Sequence, residues 1–395
     1  MNERQITYDI LKKVILDNGY ANLLMRNYQI DNFSYITNIV YGVLRNYDLL
    51  CYQYKELINK KCKKEIEILI NMAIYEIYYT KSENYAVVNE IVSLANKYDK
   101  GFVNAILHKI INNNILLPKD NNILYSIPEW IYKLWLKQYK EDITNNLCKH
   151  STNKLNIYYR LNTLKATYND IPYNITKYNN NYFTSDTNLI KTKEFKEGYF
   201  IVQDYGTNNI VNALDLKDNL NVLDMCSAPG TKTSQIASIM NNTGNIIATD
   251  LHLHRVELIN NTINKLNIKN IKAMQYDHCN INDNFINQFD RILLDAPCSG
   301  LGVLSRKPEI KFKLKPTDID DIVKLQELLL DNAYKYLKSN GILVYSTCTM
   351  NLKENQKQIL NFINKYNDIE LLEENNIYGY LNNSDSFYYA KIIKK

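Results

Sequence analysis

Two cysteines, each closing a hydrophobic, strand-like run, are the residues of this chain best suited to chemistry. Cys298 closes Phe289-Asp-Arg-Ile-Leu-Leu-Asp-Ala-Pro-Cys, and Cys348 closes Gly341-Ile-Leu-Val-Tyr-Ser-Thr-Cys, 50 residues further on. A thiolate is a strong nucleophile that forms covalent intermediates, and a second thiol beside it can exchange a proton. Upstream, Asn221-Val-Leu-Asp-Met-Cys-Ser-Ala-Pro-Gly-Thr-Lys232 reads as a strand running into a tight loop of small residues and then a helix. A loop of that kind suits a nucleotide-type cofactor. Together the loop and the two strand-end thiols point to covalent methyl transfer. Taken singly, either cysteine is more often a buried structural thiol. The remaining cysteines, 51, 62, 148 and 279 (with 226 in the loop), have no comparable context, and five scattered histidines suggest no metal site.

The elements that must position these residues are strands alternating with helices. Apolar runs at 221–224, 245–249, 271–276, 290–294 and 341–345 alternate with helical stretches such as Asp318 to Lys338, which predicts a doubly wound α/β domain. In such a sheet, ligands sit beyond the carboxyl ends of the strands where strand order reverses. With 221–224 as the first strand, Cys226, Ser227, Ala228, Pro229, Gly230, Thr231 and Lys232 lie there. Small residues let the backbone approach a ligand, Pro229 stiffens the turn, and a helix starts near Thr231. Asp250 ends the second strand, where a carboxylate can accept both ribose hydroxyls. Asp277 ends the third and is a candidate partner for an adenine amino group, and Asp295 ends the fourth. Neither a phosphate loop nor a complete G-x-G-x-x-G is present, so nucleoside triphosphate and dinucleotide readings drop. Ser386 to Ile393 is expected to supply an edge strand.

Ahead of this domain the periodicity is helical. Ile6, Ile10 and Val14 share one face, with Gly19 as a stop, and Val87, Ile91, Leu94, Ala95 and Tyr98 share another. Leu117 to Asn122 suits a linker, and a helix is expected from Ser126, its hydroxyl as cap and Pro128 in the first turn. Residues 151–200 mix short strands with Asn-rich turns. At 395 residues the chain has room for two or three domains, and its 46% hydrophobic and 23% charged residues exclude wholesale disorder. Apolar runs are too short to span a bilayer and the start lacks a signal-peptide pattern, so a cytoplasmic enzyme is the expectation. An odd count of seven cysteines suggests reduced thiols. The net charge of +5 is compatible with nucleic acid without establishing it.

Asp295-Ala-Pro-Cys-Ser-Gly-Leu-Gly302 followed by Arg306-Lys-Pro-Glu309, and Tyr345-Ser-Thr-Cys-Thr349 followed by Glu354-Asn355, resemble the RNA 5-methylcytosine methyltransferases of the RsmB/Sun/NSUN family. Ile39 to Arg45, Asn84 to Val92 and Phe102 to Leu107 resemble the NusB-like helical module that precedes the catalytic part in bacterial RsmB proteins. The resemblance implies an all-α NusB-like domain over 1–120, a linker helix and small mixed α/β subdomain over 121–200, and a Rossmann-like methyltransferase domain over 201–395. It implies S-adenosyl-L-methionine as cofactor, held by Cys226 to Lys232, Asp250, Asp277 and Asp295. It makes Cys348 the nucleophile and Cys298 the group that assists release, with Asp295 hydrogen-bonding cytosine and Lys232 lowering a local thiol pKa.

The DNA enzymes of this chemistry use the Pro-Cys thiol instead, so the presence of Cys348 tips the choice to RNA. The expected substrate is small-subunit (16S) ribosomal RNA, with transfer RNA, another RNA, or a non-catalytic RNA-binding role as alternatives. A monomer with no membrane partner is expected. Arg306, Lys307, Lys311, Lys313 and Lys315 are candidates for backbone phosphate, as is the Lys60–Lys64 cluster. Arg160, in a segment resembling the family's RNA-holding stretch, faces either substrate or solvent. Thr231 stands where the family usually has Gly, which implies a small backbone adjustment and weaker cofactor binding. Asn382 to Ser386 replaces a glycine-containing ending and leaves the last strand's pairing open.

Overall fold

Every residue from Ile66 to Ile74 is buried, so the helix Lys64–Tyr79 is enclosed on all sides and must lie inside its unit. The computed structural model, which describes residues 2–28, 32–58, 62–80, 82–113 and 115–395, packs the helices Glu3–Leu16, Phe33–Arg45, Tyr47–Tyr54, Asn84–Leu94 and Lys100–Asn112 around it. Glu76 is buried at its end, where it accepts from Arg4 at 2.7 Å and from the Tyr35 hydroxyl at 2.8 Å. A buried carboxylate is tolerated only with such partners. Gly42 brings the helix Phe33–Arg45 against Tyr75, because an added Cβ would lie 1.9 Å from the Tyr75 ring.

This helical unit comprises Met1–Lys154 together with Val303–Leu314, and Leu155–Gly302 with Lys315–Lys395 form a second unit. The helices Glu129–Gln138 and Glu141–Thr152 therefore group with the amino-terminal helices. Ser126 does not cap the helix behind it: its backbone has φ +49° and its hydroxyl accepts from the Leu49 N–H at 3.0 Å. Two lysines after the Pro-Cys loop, expected on phosphate, are instead held by groups of the protein. Lys311 is buried and donates to the Arg45 carbonyl at 2.9 Å, and burial pushes its ammonium down to about 8. The Lys313 ammonium lies 3.3 Å from the centroid of the Tyr20 ring. These two lysines are thus structural, whereas Lys307 and Lys315 are exposed and Arg306 is half-buried. Lys60 and Lys61 lie outside the described residues, and Lys64 pairs with Glu67 at 2.7 Å.

The second unit opens with a small antiparallel sheet of β1 (Tyr159–Leu161), β2 (Thr176–Lys177), β3 (Tyr182–Thr184) and β4 (Phe200–Val202), in the order β2-β3-β1-β4. Arg160 on β1 does not lie free in solvent, and it borders a cavity of about 260 Å³ with Gln235 and Ser238. It is buried, with its guanidinium donating to Gln203 and to Ser234, each at 2.7 Å. The main sheet is β5 (Asn221–Asp224), β6 (Asn245–Asp250), β7 (Ile271–Gln275), β8 (Phe289–Asp295), β9 (Leu337–Thr347), β10 (Ile369–Ile377) and β11 (Phe387–Lys394). Its order is β10-β11-β9-β8-β5-β6-β7, with β5 to β9 parallel and β11 antiparallel to both neighbours. The last strand is thus interior and fully paired, and β10, which carries no clear strand signal in the sequence, forms the edge.

Alternate residues of the central strands feed two cores. Leu223, Leu294, Leu343 and Tyr345 pack on one face, while Val222, Leu293 and Val344 pack on the other. Burial of both faces is what a parallel sheet covered by helices requires. Strand order reverses at β5, which has β6 on one side and β8 on the other, so the crevice lies at the carboxyl ends of β5 and β8.

The close approach at Gly42 predicts that Gly42→Ala costs about 1–3 kcal/mol, as overpacking does. Thermal melting checks it against Gly101→Ala, where nothing lies within 4 Å and no loss is expected.

Candidate active site

The loop after β5 turns because Gly230 takes a left-handed conformation, φ +92°, that a side chain would oppose. The helix Thr231–Ile239 then begins at Thr231, so the replacement of the usual Gly falls on an ordinary first helical residue. Ser227 ties the loop to β6 through its N–H and hydroxyl, at 2.9 Å and 3.0 Å from the Thr249 carbonyl. Asp250 ends β6 and is buried. Its carboxylate accepts the Ala228 N–H at 3.3 Å and pairs with Arg255 at 3.3 Å. Asp277 lies two residues beyond the end of β7, where it accepts from the Cys279 N–H at 2.9 Å and from Asn280 at 3.2 Å. The turn thus uses Asp277 locally.

Lys232 and Asp295 meet at the crevice with Nζ and Oδ2 2.5 Å apart, and the other Asp295 oxygen accepts from the Ser346 hydroxyl at 2.7 Å. Burial alone would lower the Lys232 ammonium, but the Asp295 carboxylate overrides it and the pKa is raised. A cavity of about 40 Å³ is bounded by Asp224, Cys226, Thr231, Lys232 and Asp295. Asp224, not singled out from the sequence, accepts from Thr233 at 2.6 Å through one oxygen, while the other is buried without a partner. Burial raises its carboxyl to about 7. Burial, with Asp224 and other carboxylates nearby, raises the Cys226 thiol.

Because β8 and β9 are neighbouring parallel strands, the loops at their ends lie side by side. Cys298 and Cys348 are half-buried, with their sulfurs 3.1 Å apart, and the Cys348 N–H donates to the Cys298 sulfur at 3.3 Å. The bond to Cys348, and then burial, hold the Cys298 proton well above the usual thiol range. Two thiolates at this separation would repel strongly, so the pair loses one proton far more readily than two. Glu354 fastens the loops together. Its buried carboxylate accepts from the Ser299 N–H at 2.8 Å, the Ser299 hydroxyl, Asn351 at 2.9 Å and Gln326 at 3.3 Å. Thr347 donates to Asn355 at 2.6 Å, and Gly302 N–H to the Cys348 carbonyl at 3.0 Å. The pairing of an ionisable thiol with a second thiol, beside an ion pair and a cofactor-type loop, equips the crevice for covalent group transfer.

Comparison with known proteins fits this geometry. The family model described as 16S rRNA methyltransferase RsmB/F matches residues 211–393, and the NusB family model matches residues 1–112. The chain is 32% identical to the probable ribosomal RNA small subunit methyltransferase B of Bacillus subtilis (strain 168), over 93% of this chain and 89% of that protein. The chain belongs to the ribosomal RNA small subunit methyltransferase B family. It is an S-adenosylmethionine-dependent ribosomal RNA methyltransferase. Its fold is shared with the crystal structure of PH0851, at TM-score 0.81 and 21% identity over 100% of this chain and 99% of that one. It is also shared with NSun6 from Pyrococcus horikoshii, solved with SFG, at TM-score 0.62 and 21% identity over 68% of this chain and 98% of that one. No helix among the described residues is long and apolar enough to cross a membrane.

The crevice suits the cationic cofactor of this family. Asp224, with its unpartnered oxygen, Asp250 and Asp295 offer negative charge around the loop, and the amino end of the helix Thr231–Ile239 stands behind it. These groups could hold the ammonium and ribose of S-adenosylmethionine, which supplies an electrophilic methyl group when bound.

Substitutions at two carboxylates probe these roles. Glu354→Ala strands the neutral Ser299, Asn351 and Gln326 donors in a buried site, so it is expected to lower stability by about 1–3 kcal/mol, the cost of leaving buried polar groups unsatisfied. Turnover should fall with it, while S-adenosylmethionine affinity measured by calorimetry stays unchanged. For Asp224, a carboxyl raised from 3.8 to about 7 gives stability that is complete below the unfolded value and lost as pH rises through the folded one. Asp224→Asn therefore gains on the wild type between those two values when melting is followed across that range.

Proposed function

We propose that the chain methylates carbon 5 of a cytosine in small-subunit ribosomal RNA through a covalent adduct between Cys348 and carbon 6 of the ring. The observation that carries the reading is the pair of sulfurs 3.1 Å apart, at the ends of neighbouring strands and next to the loop of the methyl donor. Carbon 5 of cytosine is too weak a nucleophile to take a methyl group unaided. Addition of a thiolate at carbon 6 breaks the 5,6 double bond and delivers its electron pair to carbon 5. After methylation carbon 5 carries both a proton and the new methyl group. Loss of that proton restores the double bond and expels the cysteine sulfur.

Cys348 fits the attacking role because Cys298 keeps its proton while the two thiols are paired. Once the Cys348 sulfur has become a thioether it no longer holds that proton by charge or hydrogen bond. Cys298 can then ionise to solvent and take the carbon 5 proton, which gives each thiol its own step. Asp295, oriented by Lys232 and Ser346, serves as the hydrogen-bonding partner of the cytosine ring as charge develops on it. Lys232 holds that carboxylate in place and contributes positive potential at the crevice. The cofactor is assigned to Cys226 to Lys232, with Asp250 and Asp295. Asp277 is retained only as a candidate for adenine, since its turn contacts compete for both oxygens. The target base must leave its stack to reach the thiols, as in other enzymes acting on a base. Arg306, Lys307 and Lys315 remain candidates for contact with backbone phosphate.

A denaturing gel of protein mixed with small-subunit ribosomal RNA and S-adenosylmethionine tests the assignment. Cys298→Ala should accumulate a slow-migrating RNA adduct and Cys348→Ala none, with methyl transfer down at least ~100-fold in both. Adduct in Cys348→Ala instead would reverse the two roles. Parallel reactions on transfer RNA transcripts are expected to give neither adduct nor product.

A further inference from the structure

Arg160 is only 3% exposed, and among the described residues no carboxylate pairs with its guanidinium. Nε donates to Gln203 at 2.7 Å, Nη2 to Ser234 at 2.7 Å and Nη1 to Ser238 at 3.4 Å, all of them neutral acceptors. These bonds use three of the five N–H groups that a guanidinium carries. Burial lowers its pKa to about 10 with no carboxylate opposing the shift, so the group stays charged at neutral pH. A buried charge without an opposite charge is costly, and such groups are normally paired. The cavity of about 260 Å³ that Arg160 borders is where a partner has room. Gln203 and Ser234 are not on its lining, whereas Ser238 is, so the Nη1 end of the guanidinium is the one turned toward it. Exposed Thr163, Asn180, Asn181, Asn212 and Asn241 form its rim, and buried Gln235 lies deeper on the lining beside Arg160. Neither a carboxylate nor an aromatic ring lines it among the described residues, and Asp218, which accepts from Asn241 at 3.1 Å, stands outside the lining.

We propose that this cavity holds one phosphodiester group of the RNA substrate's backbone, with the Arg160 guanidinium as its opposite charge. A phosphodiester carries a single negative charge, which one guanidinium balances, and its oxygens accept from guanidinium and amide N–H groups alike. The neutral amides and hydroxyl of the rim supply donors without adding charge. A base would find no ring to stack on here. Gln235 and Ser238 belong to the helix Thr231–Ile239, which starts at the cofactor loop, and Ser238 lies roughly 10 Å along it from Thr231. A phosphate held there anchors the strand at a set distance from the crevice, because backbone contacts position a nucleic acid while base contacts specify it. The inference rests on the reading of the chain as an enzyme that acts on RNA, and it adds a positioning contact separate from the thiols.

Fluorescence anisotropy of a labelled small-subunit ribosomal RNA fragment with the full-length protein, repeated over a series of salt concentrations, tests it. Arg160→Gln should bind about ten-fold more weakly, as loss of a hydrogen bond to a charged group implies. Its slope of log affinity against log salt should flatten by about 0.7–0.9, the change for one phosphate no longer neutralised, whereas a merely structural arginine would leave the slope as it is. Because Arg160 also ties β1 to the helix that carries Ser234, a second pair of variants leaves it in place. Thr163→Asp sets a negative charge on the exposed rim and should weaken binding about four-fold, the repulsion of unit charges ~5 Å apart in water, while Thr163→Asn should bind as the wild type does. Equal binding by the two Thr163 variants would overturn the proposal, as would an unchanged slope in a folded Arg160→Gln. Inorganic phosphate is the second arm. If it raises the melting temperature of the wild type and not of Thr163→Asp, while all variants bind RNA equally, the site takes free phosphate and the RNA assignment falls. Methylation of small-subunit ribosomal RNA by the same preparations keeps the two readings apart. Methylation with slope and affinity unchanged removes the phosphate site and leaves the reaction standing. The expected shifts without methylation of any RNA leave the site standing and remove the reaction.

Discussion

The buried carboxylate of Glu354 is the constraint on which the active crevice depends. Two loops that are 50 residues apart in sequence carry the thiols, and sheet pairing ends before either cysteine, with Asp295 opposite Ser346. Beyond that last pair something else must fix the loops to within fractions of an ångström, since proximity effects are lost with small displacements. Glu354 does so because a charge removed from water must collect donors, and the donors within reach are Ser299 on one loop, Asn351 on the other and Gln326 on a helix. The cost of burying the charge is therefore what enforces the geometry. Thr349 and Asn355 extend the same network through the Ser299 hydroxyl and the Thr349 carbonyl.

Electrostatics around the crevice derive from where parallel strands end. Asp224, Asp250 and Asp295 all close strands at the same edge of the sheet, so three carboxylates converge where the fold places its ligand site. Lys232 pairs with Asp295 and Arg255 with Asp250, while burial first, and the neighbouring carboxylates after it, raise the carboxyl of Asp224. The unpartnered Asp224 oxygen can accept from a cationic ligand, whereas a phosphate would be repelled by these carboxylates. The absence of a phosphate loop from the sequence and the sign of the charge at the crevice thus have a common consequence. Both favour a sulfonium cofactor over a nucleoside triphosphate.

What was legible in the sequence was local. The loop from Cys226 to Lys232, the strand-ending aspartates and the two cysteines announce themselves because each function needs particular residue types at consecutive positions, and strand period and helix start fix where they fall. What was not legible depended on partners distant in the chain. Glu354 stands out beside Cys348, but its contact with Ser299 spans 55 residues and leaves no periodic trace. Lys311 looks like a phosphate contact because lysines are normally solvated, and only the fold supplies the Arg45 carbonyl that buries it. Ser126 matches a capping pattern, yet its hydroxyl serves a backbone group 77 residues away. The edge strand β10 escapes a sequence reading because its exposed stretch, Glu370-Leu-Leu-Glu-Glu-Asn-Asn376, is too polar to read as a buried run, and β11 is consequently taken for the edge. Arg160 falls on the expected strand, but its neighbours Gln203 and Ser234 come from separate elements.

The path of the chain gives the helical unit a further role in this architecture. Only four residues separate Cys298 from Val303, where the chain enters a segment whose Val303, Leu304 and Ser305 are buried and whose Phe312 packs edge-on against Tyr47. Arg45 donates to the Ser305 carbonyl at 2.7 Å while Lys311 returns a bond to the Arg45 carbonyl, so the segment is integral to the core of the helical unit. A helical module joined by a single linker could be removed with little effect on the remainder of its chain. Here its removal would expose the apolar side chains of 303–314 and leave the Lys311 ammonium without its acceptor, a few residues downstream of Cys298. Burial of that segment therefore continues, further along the chain after Cys298, the ordering that Glu354 begins at Ser299.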